Sequence, residues 1–150
     1  MGTTLTAAAV LPDGSGIAFV NIGDSRAYVW RDGELRRLTR DHSMVQDLVD
    51  AGELTAEAAR LHPQRAILTR VLGMSPAIDP DLFAVPTHDG DRLLLCTDGL
   101  VNELDEPAIG AVLAATNDPA QAARELVQLA TTSGGQDNSS AVVIDVTATS

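Results

Sequence analysis

The chain has 150 residues, 45% of them hydrophobic, which is enough for one domain with a core and too apolar for a disordered segment. Its net charge of −11 argues against nucleic acid as a partner, since few cations are available to replace phosphate counterions. No apolar run approaches the ~20 residues of a membrane helix, and a single cysteine, Cys96, excludes an internal disulfide and suits the cytoplasm.

The first part of the chain predicts short strands connected by tight turns. Asp13-Gly14 and Asp32-Gly33 are hairpin signals between apolar runs. Hairpins of this kind predict an antiparallel sheet. The predicted strands cover residues 3–11, 17–22, 27–30 and 34–39.

The next segment changes from strand patterns to short helical patterns. Ser43 and Thr55 are candidate N-caps for predicted helices over residues 44–51 and 56–61, and Gly52 ends the first of them. The segment is polar on its outer face. We therefore expect this segment to form a small helical insertion that lies beside the main core.

The second half of the chain alternates between strand and helix patterns. Asp89-Gly90 is interpreted as a third hairpin turn, and Asp118 before Pro119 as a helix N-cap. The strand over residues 92–97 is apolar throughout, which predicts a central position. Strand patterns first and helices later indicate an α+β class, with helices covering antiparallel sheet. Further strands are predicted over residues 81–85 and 139–146, and helices over residues 106–115 and 119–131.

Three aspartates, Asp24, Asp98 and Asp137, lie where apolar strand patterns begin or end. Taken singly, each has a structural explanation: a hairpin turn with Arg26 as ion-pair partner for Asp24, a helix N-cap for Asp98, and an Asx turn for Asp137. Taken together, they would gather carboxylates at one rim of a sheet. There they would raise one another's pKa unless cations lay between them.

The chemistry of these residues favours a hard divalent cation. Mg²⁺ and Mn²⁺ select carboxylate, carbonyl and water oxygens, and two such ions can activate a water and clamp a phosphoryl group. No His-x-x-x-His or Cys-x-x-Cys pair supports a zinc site. The histidines are interpreted as structural or surface residues, with His42 the candidate for a place near the site. Cys96, in an apolar strand, is interpreted as a small buried hydrophobe.

Six short stretches in chain order carry a family resemblance. They are Met1-Gly2-Thr3-Thr4, Val20-Asn21-Ile22-Gly23-Asp24-Ser25-Arg26-Ala27-Tyr28, Leu38-Thr39-Arg40-Asp41-His42-Ser43, Leu68-Thr69-Arg70-Val71-Leu72-Gly73, Leu95-Cys96-Thr97-Asp98-Gly99-Leu100 and Gly135-Gln136-Asp137-Asn138-Ser139-Ser140. In this order the chain resembles the metal-dependent serine/threonine protein phosphatases of type 2C, especially the short bacterial ones.

The resemblance implies one domain over residues 1–150, a sandwich of two antiparallel β-sheets with flanking helices. It implies hydrolysis of phosphoserine and phosphothreonine in proteins by a water that bridges two Mn²⁺ or Mg²⁺ ions, with a third ion in bacterial members. By motif, Asp98 and Asp137 are ligands of the main pair, and Asp24 is a ligand of the third ion. Residues 43–64 correspond to the family's mobile flap, which influences substrate choice. Phosphoproteins are the implied substrates, and a serine/threonine kinase is the implied signalling partner.

Two motifs of the family are absent from the sequence. They are Arg-x-x-Asn-Glu/Gln-Asp, which supplies the phosphate-binding arginine, and Asp-Gly-x-Gly-Gly, which supplies the aspartate that bridges both ions. We therefore expect the chain to correspond to the C-terminal portion of an N-terminally incomplete domain, and to be poorly active alone. The alternative is a non-catalytic truncated or pseudo-phosphatase that acts as a binding module. A third class, a phosphatase switch domain of the stress-response kind, is opposed by Asp41-His42-Ser43 and by residues 68–73.

Overall fold

The computed structural model describes residues 1–74 and 77–147, and within them seven strands form two antiparallel sheets flanked by five helices. The strands are β1 (Leu5–Val10), β2 (Gly16–Ile22), β3 (Arg26–Arg31), β4 (Glu34–Arg37), β5 (Asp81–Pro86), β6 (Arg92–Cys96) and β7 (Ala141–Asp145). The helices are α1 (Met44–Asp50), α2 (Ala56–Leu61), α3 (Asp98–Val101), α4 (Glu106–Ala115) and α5 (Pro119–Ser133).

The first sheet has the strand order β1-β2-β5 and presents the apolar side chains of β2 to the core. Ile17 and Phe19 are buried, because residues two apart on a strand point to the same face. Phe19 is paired with Phe83 of β5, and their rings stack with centroids 5.3 Å apart. This cross-strand aromatic contact fixes β5 as the partner of β2.

The second sheet has the strand order β4-β3-β6-β7 and is covered on both faces. Leu93 of β6 packs with Ile17 and Phe19 in the layer between the sheets, whereas Leu94 packs with residues of α3, α4 and α5. Both leucines are almost completely buried. The continuous apolar pattern of β6 therefore reflects its interior position, as predicted, and the molecule is layered as sheet, sheet and helices.

Two of the three predicted hairpins are confirmed and one is wrong. Asp13-Gly14 connects the paired strands β1 and β2, and Asp32-Gly33 connects β3 and β4. Asp89-Gly90 connects β5 and β6, which belong to different sheets, so this turn is a corner and not a hairpin. At the corner Asp91 is buried and forms a 2.6 Å ion pair with Arg31 of β3. A turn signal predicts where the chain reverses but does not identify the strand that pairs next.

Four of the five described helices, α1, α2, α4 and α5, begin at a side-chain cap. The Asp118 carboxylate accepts a hydrogen bond from the Gln121 N–H at 2.8 Å, as predicted for the start of α5. The predicted ranges of α2 and α4 are confirmed to the residue, and α5 extends two residues further, to Ser133. The short helix α3 follows β6 directly and begins at Asp98.

The predicted flap segment, residues 43–64, forms α1 and α2, which contact each other beside the second sheet. Ser43 caps α1, and Thr55 caps α2, each by accepting a hydrogen bond from the N–H three residues later. Arg40 forms ion pairs with Asp47 and Asp50 on α1. In the described part of the chain, no helix is long and apolar enough to cross a membrane.

Candidate functional site

Asp24 and Asp98 lie at the same rim of the second sheet. Arg26, the first residue of β3, pairs with Cys96, the last residue of β6, and the two strands are antiparallel. Asp24 precedes this pair by two residues and Asp98 follows it by two, so both enter the same end of the sheet. Both line a pocket of about 440 Å³ that α1, α2 and α4 also border.

The two carboxylates repel each other. Burial, and after it the negative charges of Asp98 and of Asp41, together raise the pKa of Asp24 to about 6, against a smaller opposing effect of Arg26. This is the electrostatic situation that the sequence predicts for aspartates gathered at a rim. A cation between Asp24 and Asp98 would relieve it.

The segment that contains Asp137 lies against the start of α3. Ser140 N–H donates to the Thr97 hydroxyl at 3.0 Å, and Thr97 N–H donates to the Ser140 carbonyl at 3.1 Å. The Asn138 carbonyl packs onto Gly99 where any other residue would have its Cβ. Asp137 itself is exposed, and its Oδ1 accepts a 2.7 Å hydrogen bond from Asn138 N–H. The backbone around Asp137 is thus held beside the helix that begins at Asp98.

A second close approach positions the loop between α5 and β7. The Glu103 carboxylate lies where a Cβ at position 134 would be, so any residue other than Gly134 would displace this flexible side chain. The same carboxylate accepts a 3.5 Å hydrogen bond from Gln136 N–H. Glu103 therefore supports the loop that leads to Asp137. Sequence reasoning missed Glu103, and no motif or spacing in the sequence indicated its contact with Gly134.

The structural explanations for Asp24 and Asp98 that the sequence left open are wrong. Asp24 lies between β2 and β3, which belong to different sheets, and Arg26 forms its ion pair with Asp41 at 2.7 Å. Thr97 holds the N-cap position of α3 without a side-chain bond, and Asp98 is the first helical residue. Asp98 Oδ1 accepts a 2.9 Å hydrogen bond from Gly99 N–H.

His42 and Cys96 have structural roles, as predicted. His42 is fully buried, its Nδ1 accepts a hydrogen bond from Gly23 N–H, and its Nε2 lies 3.1 Å from Asp81. Its hydrogen bond with Gly23 therefore supports the turn that precedes Asp24. Cys96 is buried in the core, and burial raises the pKa of its thiol to about 12.

Oxygen ligands for a hard cation are present, but the set is partial. Within residues 1–74 and 77–147, no three His, Cys, Asp or Glu side chains are arranged so that they could hold a metal ion. The carboxylates of Asp24 and Asp98 fit such an ion in chemistry and in their mutual repulsion. Two carboxylates of the kind that a hard cation selects therefore share one pocket.

A family model described as "Protein phosphatase 2C" matches residues 1–132. The chain belongs to the protein phosphatase 2C family. Among curated relatives, it is 44% identical over 146 residues to the serine/threonine protein phosphatase PstP of Mycobacterium tuberculosis, covering 97% of this chain and 28% of that protein. It is 38% identical over 145 residues to the serine/threonine phosphatase stp of Listeria monocytogenes, covering 97% of this chain and 57% of that protein.

Solved structures of the family have the same fold. The M. tuberculosis PstP structure at 42% identity superposes with a TM-score of 0.91 over 99% of this chain and 61% of that one. The structure of Stp1 from Staphylococcus aureus superposes with a TM-score of 0.92 at 35% sequence identity, over 99% of this chain and 57% of that one. The PstP catalytic domain, solved in complex with two manganese ions, superposes with a TM-score of 0.88 at 40% sequence identity. This match covers 99% of this chain and 60% of that one. The predicted α+β sandwich is confirmed, and the chain spans about three fifths of these structures.

Proposed function

We propose that this chain functions in metal-dependent hydrolysis of phosphoserine and phosphothreonine in proteins. The observation that carries the proposal is the pair of half-buried, mutually repelling carboxylates of Asp24 and Asp98 at one sheet rim, in a chain of the phosphatase 2C family. The relatives' names as serine/threonine phosphatases support the substrate class. The two manganese ions of the PstP structure support Mn²⁺ or Mg²⁺ as the cofactor.

In this proposal Asp98 and Asp137 hold the main metal pair, and Asp24 holds a third ion. Such ions would lower the pKa of a bound water and neutralise the phosphoryl oxygens. The chain's own contribution is to position the carboxylates. Thr97 bonds to Ser140, and Gly99 packs against the Asn138 carbonyl; we call this contact between α3 and the segment after Asp137 the seam. In this proposal the seam sets the distance between the turns that carry Asp98 and Asp137.

We further propose that residues 43–64 act as a flap beside the site. Val45, Gln46 and Val49 of α1 line the same pocket as Asp24 and Asp98, and α2 borders it from the outside. A phosphoprotein bound at the carboxylates would contact these side chains, so the flap would influence substrate choice. A serine/threonine kinase would supply the phosphorylated substrates, and the cytoplasm is the expected place of action.

The chain taken alone is expected to be poorly active. The described residues bring no three potential ligand side chains together around one ion, so a bridging carboxylate is needed in addition. The same observation favours the second candidate function, a binding module that recognises phosphoproteins without hydrolysing them. The two candidates differ in their response to metal.

Thermal unfolding with and without Mn²⁺ tests the proposal, because a ligand that binds only the folded state raises Tm. We expect Mn²⁺ to raise Tm, and Asp98→Asn to lose most of that rise. Asp105→Asn is the matched control: Asp105 lines the same pocket and caps α4, and Asn caps helices equally well. A Tm that is indifferent to Mn²⁺ would contradict metal binding and favour the module. Hydrolysis of a phosphothreonine peptide at about 10 s⁻¹ would contradict the expected impairment.

A further inference from the structure

Two arginines share one buried carboxylate next to Asp24. Arg26 donates to Asp41 from Nε at 3.0 Å and from Nη2 at 2.7 Å, and Arg37 donates to it from Nη2 at 2.5 Å. The Asp41 side chain is 9% exposed, and the two arginine side chains are 21% and 23% exposed. We call Arg26, Asp41 and Arg37 the arginine triad. Two positive groups and one negative group leave one positive charge without a partner inside it.

Arg37 carries most of this excess charge. Its Nε donates to the Thr39 carbonyl and its Nη2 to Asp41, but within the part of the chain that the structure describes neither Nη1 hydrogen has an acceptor. Burial lowers the pKa of Arg37, and the charge of Arg26 lowers it further, against the opposing effect of Asp41. Glu106 acts on Arg37 only at a distance, since no ion pair joins them. A half-buried guanidinium with a free edge of donors is under-compensated.

The triad faces an open pocket. Arg26, Arg37 and Asp41 line the same cavity of about 440 Å³ as Asp24 and Asp98. Arg37 can donate from the free N–H groups of Nη1 to an oxygen of a phosphate or a carboxylate. The free edge of Arg37 therefore faces a pocket open to solvent, whose lining also includes the acidic residues Asp24, Glu57, Asp98, Asp105 and Glu106 and the basic residues Arg60 and Arg65.

We propose that the arginine triad is an anion subsite that binds a phosphate group, with Arg37 as its principal donor. Its role in catalysis rests on the proposed function, in which the phosphate is the substrate's phosphoryl group or the inorganic phosphate released from it. Binding of free phosphate by the triad does not depend on that function. Neither arginine belongs to the family's phosphate-binding motif, which this sequence lacks.

Arginine side-chain NMR tests the subsite directly. The Nε–H resonances of the ¹⁵N-labelled chain are followed while inorganic phosphate is added, once in chelator and once with Mg²⁺. We expect saturable shifts of Arg37 and Arg26 under both conditions. Arg36 is the internal control, because it is the preceding residue on β4, is largely exposed and, among the residues that the structure describes, forms an ion pair with Glu34 alone, at 3.2 Å. A phosphothreonine peptide in a second titration distinguishes bound substrate from free phosphate.

Variants add a second, independent measurement. Arg37→Gln should weaken phosphate binding about tenfold, which is the loss expected for one charge-assisted hydrogen-bonded group, whereas Arg36→Gln should leave it unchanged. The backbone amide spectrum reports whether each variant is folded. If Arg37→Gln is not folded, the phosphate titration of the wild-type Nε–H resonances tests the subsite by itself.

Three outcomes would overturn the subsite. They are no shift of Arg37 under either condition, an equal shift of Arg36, and a shift that appears only with Mg²⁺, which would assign the phosphate to the metal ions. If the Arg37 and Arg26 resonances shift in chelator but Mn²⁺ does not change Tm, the anion subsite is supported and the proposed metal-dependent function is contradicted.

Discussion

The carbonyl oxygen of Asn138 occupies the position that a Cβ on Gly99 would need. Since the obstacle is backbone and not a flexible side chain, Gly99→Ala must separate the Asp137 segment from α3. We expect a loss of about 1–3 kcal/mol in the free energy of unfolding, the usual cost of overpacking. We also expect a smaller Mn²⁺-induced rise in Tm, because the separation moves Asp137 away from Asp98.

Gly110→Ala is the matched control for this prediction. Gly110 lies in α4, where an added Cβ meets the Trp30 ring at 3.0 Å, far from the seam. It perturbs the core and leaves the turns that carry Asp98 and Asp137 in place, so the response to Mn²⁺ should persist. An unchanged Mn²⁺ response in Gly99→Ala would show that the seam does not position the ligands.

Removal of the Asp24 charge should have opposite effects with and without metal. Asp24 is partly buried beside Asp98, and its raised pKa of about 6 marks an unfavourable carboxylate. In chelator, Asp24→Asn should therefore increase the free energy of unfolding by about 1 kcal/mol after solvent screening is allowed for. With Mn²⁺, the variant should gain less stability than wild type, because a ligand is lost. Urea unfolding in both buffers measures this, and a variant that is less stable than wild type in chelator would refute the repulsion.

The elements of the fold could be predicted from local signals. Hairpin residues such as Asp32-Gly33, cap residues such as Asp118, and the apolar run of β6 each act within a few residues, and all three were confirmed. What failed was pairing over long range. Asp89-Gly90 has the same turn chemistry as Asp32-Gly33, but β5 pairs with β2 in the first sheet, where Phe83 stacks on Phe19, so the turn after β5 is a corner.

The candidate site was predicted in part for the same reason. The sequence indicated that Asp24 and Asp98 approach each other, because strand ends meet at a rim, and the structure places both in one pocket. It did not indicate Asp41 or Glu103. Their importance depends on Arg37 and on Gly134, with which they make contact only after folding. No spacing in the sequence encodes these two contacts.

The buried thiol of Cys96 should react slowly in the folded chain. Burial raises its pKa to about 12, so the thiolate is scarce throughout the neutral and mildly alkaline range. We expect a thiol reagent to label Cys96 only when the chain opens, with rapid labelling in urea. Because the opened chain exposes a thiol with an ordinary pKa of about 8.5, the slow rate should rise with pH in the same proportion as labelling in urea. Fast labelling without denaturant would contradict the burial of this side chain.

The Arg31–Asp91 pair should make stability depend on pH in the acid range. The Arg31 guanidinium, at 2.6 Å, and the His88 N–H hold the pKa of Asp91 below its ordinary value of 3.8. A depressed pKa means that the unfolded chain takes up the proton more readily, so this stabilisation is present above pH 3.8 and is lost as pH falls below it.

The substitution Asp91→Asn isolates this contribution. Asp91 is 2% exposed, and removal of its charge leaves Arg31 without its ion-pair partner at the corner between β5 and β6. At neutral pH we expect a loss of roughly 3 kcal/mol in the free energy of unfolding, the scale for a broken buried pair. The difference from wild type should shrink as the pH approaches about 3, because wild type then loses the same interaction.

Asp32→Asn is the control for this prediction. Asp32 is an exposed turn residue with a φ of 52°, which Asn also tolerates, so the substitution should change the free energy of unfolding by less than about 0.5 kcal/mol. Urea unfolding at a series of pH values measures all three proteins, and a difference between Asp91→Asn and wild type that stays constant with pH would rule out ionised Asp91 as its source.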